Sequence, residues 1–510
     1  MRNPLIAGFH PDPSVVRVGD DYYLANSTFE YLPGIPIFHS TDCQNFELLT
    51  HVAVRDGQLG ADKARTGGGA WAPTIRFHDD TYWLVIPDMM GGRGNVLYTA
   101  KEPAGPWSDG IVMDVMGIDP DIAWDDEGTC YVTMSGFILN ESGELNHLGI
   151  TQVTLDTDTD TDTGEAISEV RRLWSGTGGM FPEAPHLYHI GDWWYLMIAE
   201  GGTERGHSVT ISRGTSPTGP FEGCPHNPLV TARGTDRAVQ NSGHGDLVVM
   251  PDGSWAIVLL GTRPRSKTRG FASMGRETFI SPVTWDDEGW PHIEPVLLDE
   301  RHEPTVREFR FPTVGQASLD GFDGEFIGVR QFPRDVADLD ARPGWARLEG
   351  RGEGMEANKP VFLGIRQCTE GCEVTVTLDA SAGVGGLSMR YDEQFHLDIA
   401  VDGVEVTATM HISTMAQTWT HRLLTIGPTI DVRLVAEPPT ASSLEQTVGC
   451  DWLHAQVLDG ADWVTIASVD GRYLSSDLCE SFTGRVVGPY AKSGIIDVLS
   501  MDYRGQDVQR

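Results

Sequence analysis

The stretch Phe9-His10-Pro11-Asp12-Pro13-Ser14 sets an acid between two prolines. Each proline fixes its own φ, donates no N–H and drives the preceding residue towards extended geometry. Asp12 is thereby held stiffly at the mouth of the strand predicted from Val15. That suits a carboxylate that must be aimed, although an isolated Asp-Pro pair equally marks a plain turn before a strand.

Repetition favours the chemical reading. DPSVVRVGDDYYL from Asp12 returns as APTIRFHDDTYWL from Ala72, DPDIAWDDEGTCYV from Asp119, APHLYHIGDWWYL from Ala184 and HGDLVVMPDGSWAI from His244. Each copy is a short apolar strand, a turn rich in Asp or Gly, and a second strand rich in aromatic and β-branched residues, which is the signature of a β-hairpin. Intervals of 60, 47, 65 and 60 residues between the five starting positions leave room for one more hairpin per unit. About four strands per repeat is the build of a propeller blade. Five copies predict five blades.

Equivalent positions in a propeller face the same end of its axis. The leading residues are Asp12, Ala72, Asp119, Ala184 and His244, preceded by Pro11, Trp71, Ile118, Glu183 and Gly243. Three carboxylates, an imidazole and an indole should therefore converge on one cavity. Packing three acids together costs stability through repulsion and desolvation, so a fold has no structural reason to do it.

At 510 residues, the chain exceeds one ordinary core and predicts two or three domains. Its 40% hydrophobic residues and 14 Trp are those of a globular protein. A net charge of −36 repels nucleic acid and anionic membranes and leaves a neutral ligand compatible. The N-terminus lacks the apolar core and small-residue cleavage site of a secretory signal, and no stretch is apolar and long enough to span a bilayer. Seven scattered cysteines, among them the lone pair Cys368 and Cys372, argue against a zinc site and for free thiols. A cytoplasmic protein is expected, and a homo-oligomer is compatible with the sequence.

Residues 1–300 read as the propeller. The run from Asp156 to Gly164 alternates Asp and Thr as a calcium loop might, but it lacks the closing Glu and flanking helices of an EF-hand and reads as a solvated turn. Gly67-Gly68-Gly69 and Gly91-Gly92 are loop elements without the Lys-Ser/Thr of a phosphate cradle. A Pro- and charge-rich stretch predicts a linker over 301–317. From 318 to 510, short strands such as Trp345–Leu348, Val361–Arg366, Cys372–Leu378, Gly386–Tyr391, His396–Val401, Val404–Thr409 and Ile430–Leu434 predict a jelly-roll-like β-sandwich. With no catalytic constellation of its own, it would support the propeller or close one side of the pocket. The fold class is all-β.

These motifs resemble glycoside hydrolase family 43, the β-xylosidases and α-L-arabinofuranosidases, in the branch with a C-terminal β-sandwich. NPLIAGFHPDPS, NSTFEYLPGIPIFHS, GGAWAPTIRF, GIDPDIAWDDEG, EAPHLYHIGDWWYLMIAEGGT, SGHGDLV and MGRET occur in family order over residues 3–300, with FTGRVVGPYA near the end. The resemblance implies a five-bladed propeller and hydrolysis with inversion at the anomeric carbon. It makes Asp12 the general base, Glu183 the general acid and Asp119 the carboxylate that orients and tunes that acid. An inverting pair stands roughly 6.5–9.5 Å apart to admit a water. The same resemblance makes Phe29 and Trp71 walls of the sugar pocket and Arg276 a clamp on sugar hydroxyls. For Phe29 and Trp71 the other reading is a core side chain, and for Arg276 a pairing with Glu277. His244 matches the axial histidine that holds a metal ion or water in the channel; calcium is the ion implied, a purely structural histidine is the alternative, and no other cofactor is required.

The motif EAPH stands where many xylosidases carry a glycine-containing form, which leaves the chemistry intact and xylose against arabinose open. The expected substrate is a small neutral oligosaccharide, a xylo- or arabinoxylo-oligosaccharide, from which terminal β-D-xylose or α-L-arabinofuranose is released. An arabinofuranosidase with little xylosidase activity is the nearest alternative. A retaining fructan hydrolase would carry Asn-Asp-Pro near its N-terminus instead of HPDP. A sugar-binding propeller without catalysis would need no acids at three related positions.

Overall fold

A computed structural model describes residues 1–139, 145–157, 164–265, 270–299, 303–311, 322, 324–425, 427–439 and 449–508. Five sheets follow one another in chain order. The first comprises Ser14–Val18, Asp21–Ala25, Gly34–Ser40 and Glu47–Ala53. The innermost strands of the next four are Thr74–His78, Gly117–Trp124, Glu183–Ile190 and Gln240–Val249. Each is hairpin-paired with the strand after it, as the repeats predict. The turn at Asp79-Asp80 has positive φ at both residues (47° and 54°), which suits a two-residue hairpin. The N-terminus closes the ring: Leu5 N–H donates to Thr278 O, and Thr278 N–H to Ile6 O, on the fifth blade.

One side chain joins all five blades. Arg76, on the innermost strand of blade two, donates from Nη1 to Asp246 Oδ2 of blade five (2.8 Å) and to Ser14 Oγ of blade one (3.2 Å). From Nη2 it donates to Asp121 Oδ1 of blade three and His186 Nδ1 of blade four, both at 2.9 Å. Ser14, Asp121, His186 and Asp246 each lie two residues beyond the leading residue of their repeat, so alternation along a strand puts them on one face. Together with Tyr188, whose hydroxyl donates to Asp246 Oδ1, they form a polar plug in place of an apolar core.

The C-terminal domain is a sandwich whose two sheets share a pair of long strands, Gly371–Arg390 and Val486–Gln506. Register shifts near Leu378, Asp379 and Gly385 let Gly371–Arg390 bend from one sheet to the other. Its first half pairs with Ile430–Glu437, its second with Phe395–Asp402. Two separately predicted strands, Cys372–Leu378 and Gly386–Tyr391, are thus one. The strands Met415–Arg422, Trp452–Asp459, Asp462–Asp470 and Val486–Gln506 add to those predicted.

The predicted linker needs correction. Within 301–317, the segment Thr305–Arg310 is a strand that pairs with Val486–Gln506 in the sandwich; residues 301, 302 and 312–317 lie outside the described ones. The partner strand lies almost two hundred residues away, and it satisfies backbone groups that local composition leaves open. Most of the Asp-Thr run, 158–163, also falls outside the described residues. The domains meet through Tyr31–Leu32, which pairs with Gly328–Val329, and through a buried cluster of Phe9, Phe29 and Tyr31 with Phe362, Val486 and Tyr490.

Replacing Arg76 by Met leaves Asp121 and Asp246, both essentially inaccessible, without their countercharge. Losing one partner of a buried pair costs about 3–5 kcal/mol. Urea unfolding at pH 7 should show that loss. The gap to the native protein should narrow towards pH 5, because a carboxyl stripped of its guanidinium takes up a proton and sheds its buried charge. Equal gaps at the two pH values would contradict the role given to Arg76.

Candidate functional site

Above the Arg76 plug, the leading residues of four repeats leave ordinary strand geometry. Asp12, Asp119, Ala184 and His244 have φ of 56°, 51°, 50° and 48°. In blades three, four and five these residues sit at breaks in register with the next strand. Such irregularities re-aim a side chain, and left-handed backbone at non-glycine residues is costly enough to mark function. Ala184 also gives a physical reason for glycine in the related motif, since only glycine enters this region freely.

The three acids share one field. Ser27 Oγ donates to Asp12 Oδ2 at 2.5 Å, and Arg276 Nη1 donates to Asp12 Oδ1 at 3.0 Å. Burial pushes the Asp12 carboxyl up, but the Arg276 guanidinium, His244 and the Ser27 hydroxyl together bring it below its ordinary value. Asp119 Oδ2 accepts from the Ala184 N–H at 3.1 Å. Burial, then the charge of Asp12, raises the Asp119 carboxyl. Burial and the charge of Asp119 raise Glu183 well above the usual carboxylate range, with Arg276 opposing. One acid is thus tuned to stay ionised and another to keep its proton. That division is what acid–base catalysis with two carboxyls needs.

Arg276 is held by more than Asp12. Its Nη1 also donates to Thr203 Oγ1 (2.8 Å), while Glu277 pairs with Arg263 at 2.7 Å. The alternative of an Arg276–Glu277 pair is therefore absent. Phe29 and Trp71 flank the same space, and both touch the interdomain cluster. Phe29 is buried, so it is a core side chain as well as one face of this space.

Sequence reasoning missed the third aromatic. Phe482, 41% exposed on a loop of the sandwich, stacks on Phe29 with ring centroids 6.0 Å apart and meets Trp71 edge-on at 6.2 Å. Its carbonyl accepts from Arg276 Nη2 at 3.4 Å, and the guanidinium lies 5.4 Å from its ring. Gly275, with φ of 70°, admits this loop: a Cβ there would stand 2.2 Å from the Thr483 carbonyl oxygen. The sandwich therefore closes one side of the site. FTGRVVGPYA was the signal available, though nothing local assigned Phe482 a place in the pocket.

His207, also missed, is buried beside Gly243, where a Cβ would lie 2.4 Å from its ring. Its Nδ1–H donates to Asn241 O at 2.9 Å. His244 Nδ1 approaches Asp12 Oδ1 at 3.6 Å, and burial lowers the imidazole to about 3, so it is neutral at working pH. Calcium takes six to eight oxygen ligands. Around His244, Asp12 is engaged by Arg276 and Ser27, and the neighbouring groups include the rings of His186 and His207. These residues do not form an oxygen cage for calcium, and an ion beside His244 would need to take oxygen ligands from water.

Comparison with known proteins agrees with this architecture. The profile of Glycosyl hydrolases family 43 matches residues 1–291, and that of the Beta xylosidase C-terminal Concanavalin A-like domain matches residues 320–497. The chain is 38% identical over 424 residues to a Non-reducing end alpha-L-arabinofuranosidase of Bacteroides ovatus, covering 79% of this chain and 75% of that protein. It is 35% identical to Xylosidase/arabinosidase 43B of Humicola insolens, over 99% of this chain and 97% of the relative. Among solved structures, the xylan beta-1,4-xylosidase of Bacillus halodurans superposes with a TM-score of 0.85 at 28% identity, covering 99% of this chain and 100% of that one. A five-bladed propeller with converging acids, capped by a sandwich of this type, belongs to glycosyl hydrolase family 43, and this chain is a member of it.

Proposed function

We propose that this enzyme removes a terminal pentose, β-D-xylose or α-L-arabinofuranose, from the non-reducing end of a neutral xylo- or arabinoxylo-oligosaccharide by single displacement. The observation that carries the reading is the opposite tuning of Asp12, which is buried, and Glu183, which is half-buried, within one cluster of acids. Asp12, kept ionised by Arg276, takes a proton from water as that water attacks the anomeric carbon. Glu183, kept protonated by burial and by Asp119, delivers its proton to the departing oxygen on the other face. Arg276 donates to sugar hydroxyls as well as to Asp12, and Phe29, Trp71 and Phe482 supply the apolar walls.

Relatives named as xylosidase, arabinosidase or both support the pentose class. The name of the Bacteroides relative keeps the arabinofuranosidase reading open. A cytoplasmic setting is supported by seven cysteines that are all buried and unpaired. Nitrophenyl pentosides and hexosides, followed by product analysis on xylobiose and arabinoxylan oligosaccharides, separate the sugars.

The two main carboxyls should differ by leaving group. In Glu183→Ala, kcat/KM on xylobiose falls far more than on a nitrophenyl glycoside, because nitrophenolate departs unprotonated. In Asp12→Ala both substrates lose a similar factor, since both need activated water; contributions of about 10²–10⁴ per group set the scale. Added azide serves as a small nucleophile in the Asp12 variant. The reverse pattern means reversed roles.

The profile of kcat/KM against pH should be a bell. Its acidic limb reports Asp12, which must be ionised and titrates below its ordinary range, so activity persists into mildly acidic solution. Its alkaline limb reports Glu183, which must be protonated and titrates above its ordinary range. Asp119→Asn removes a charge that raises Glu183, so the alkaline limb should move to lower pH. An unmoved limb would deny Asp119 its tuning role.

A further inference from the structure

Away from the channel, three metal-donor side chains meet where blades four and five adjoin. His226 lies in the turn between Glu222–Gly223 and Val230–Thr231, and Asp286 and His292 flank the turn that joins Glu277–Trp285 to Pro291–Ile293. One donor atom from each stands within 4.8 Å of the other two. His292 Nε2 and Asp286 Oδ2 are 3.1 Å apart, close to the edge of about 3.3 Å expected between ligands of a tetrahedral zinc ion.

The carboxylate is prepared for this use. Asp286 Oδ1 accepts from the Trp290 N–H (2.8 Å) and the Glu288 N–H (3.0 Å), which fixes the group and turns Oδ2 towards His292. The rings of His226 and His292 are 5.3 Å apart and tilted by 39°, and both histidines are exposed. A second trio, His396, Asp398 and His411, is less suited. Its rings stack at 4.1 Å and 20°, so their in-plane lone pairs run side by side without converging.

We propose that His226, Asp286 and His292 form a site for a divalent transition metal that clasps blade four to blade five. Two imidazole nitrogens and one carboxylate oxygen suit zinc, with nickel or copper as substitutes, and disfavour calcium and magnesium. The ion would reinforce a seam already built from both blades. There the Arg213 guanidinium lies 4.3 Å from the Trp193 ring and 4.0 Å from the Trp290 ring, and Tyr195 donates to Gly289 O at 2.5 Å.

The test is calorimetric titration of zinc chloride into the chelator-treated, desalted full-length protein, with millimolar calcium present to occupy weak acidic sites. One stoichiometric site is expected. Its affinity should fall at least tenfold in His226→Ala, in His292→Ala and in Asp286→Asn, the last of which keeps an acceptor for the turn. Zinc should raise the thermal midpoint of the native protein more than that of the variants, and binding should weaken at pH 5.5 as the imidazoles take protons. Absence of a stoichiometric zinc site in the native protein, or variants that bind as tightly as it does, would overturn the proposal.

Discussion

The Arg76 guanidinium is the tie on which the catalytic half of the molecule depends. A propeller has no covalent link between blades at its axis, and apolar packing cannot orient polar groups there. One planar cation reaches acceptors from the four other blades and is paid for by two inaccessible carboxylates. Burial works against the charge on Arg76, and Asp246 and Asp121 reverse that penalty and raise it beyond its ordinary value. Such a hub sets the rotation of each innermost strand about the axis. Two positions before Ser14, Asp121 and Asp246 stand Asp12, Asp119 and His244, and three before His186 stands Glu183.

From that base, the acids are separated in character by what lies beside them. Asp12 faces Arg276, whereas Glu183 faces Asp119. Left-handed backbone at Asp12, Asp119, Ala184 and His244 is the local cost of turning those segments towards the axis. The sandwich takes part as well, because Phe482 completes an aromatic wall that the propeller starts with Phe29 and Trp71. A long-range contact therefore couples an accessory domain to the pocket, and Gly275 beside Arg276 makes room for it.

Much of this was legible in the sequence because it repeats locally. Hairpin strands and turns carry their own signals, and five copies in register reveal both the blade number and the convergence of Asp12, Asp119, Glu183 and His244. What escaped was non-local or concealed by residue type. Arg76 looks like an exposed strand arginine until four other blades surround it. The positive φ at Ala184 and His244 is invisible where no glycine announces it. Phe482 stands 453 positions from Phe29, and the strand Thr305–Arg310 looks like a linker until Val486–Gln506 lies beside it.

In the mechanism we propose, one displacement at the anomeric carbon admits water beside Asp12 and draws its proton from Glu183. Proton NMR during the first turnovers on a β-xyloside tests this most directly, before mutarotation mixes the anomers. Single displacement releases α-xylose first, with the β anomer appearing only later. Initial release of β-xylose would mean a covalent intermediate and a carboxylate acting as nucleophile, and would contradict it.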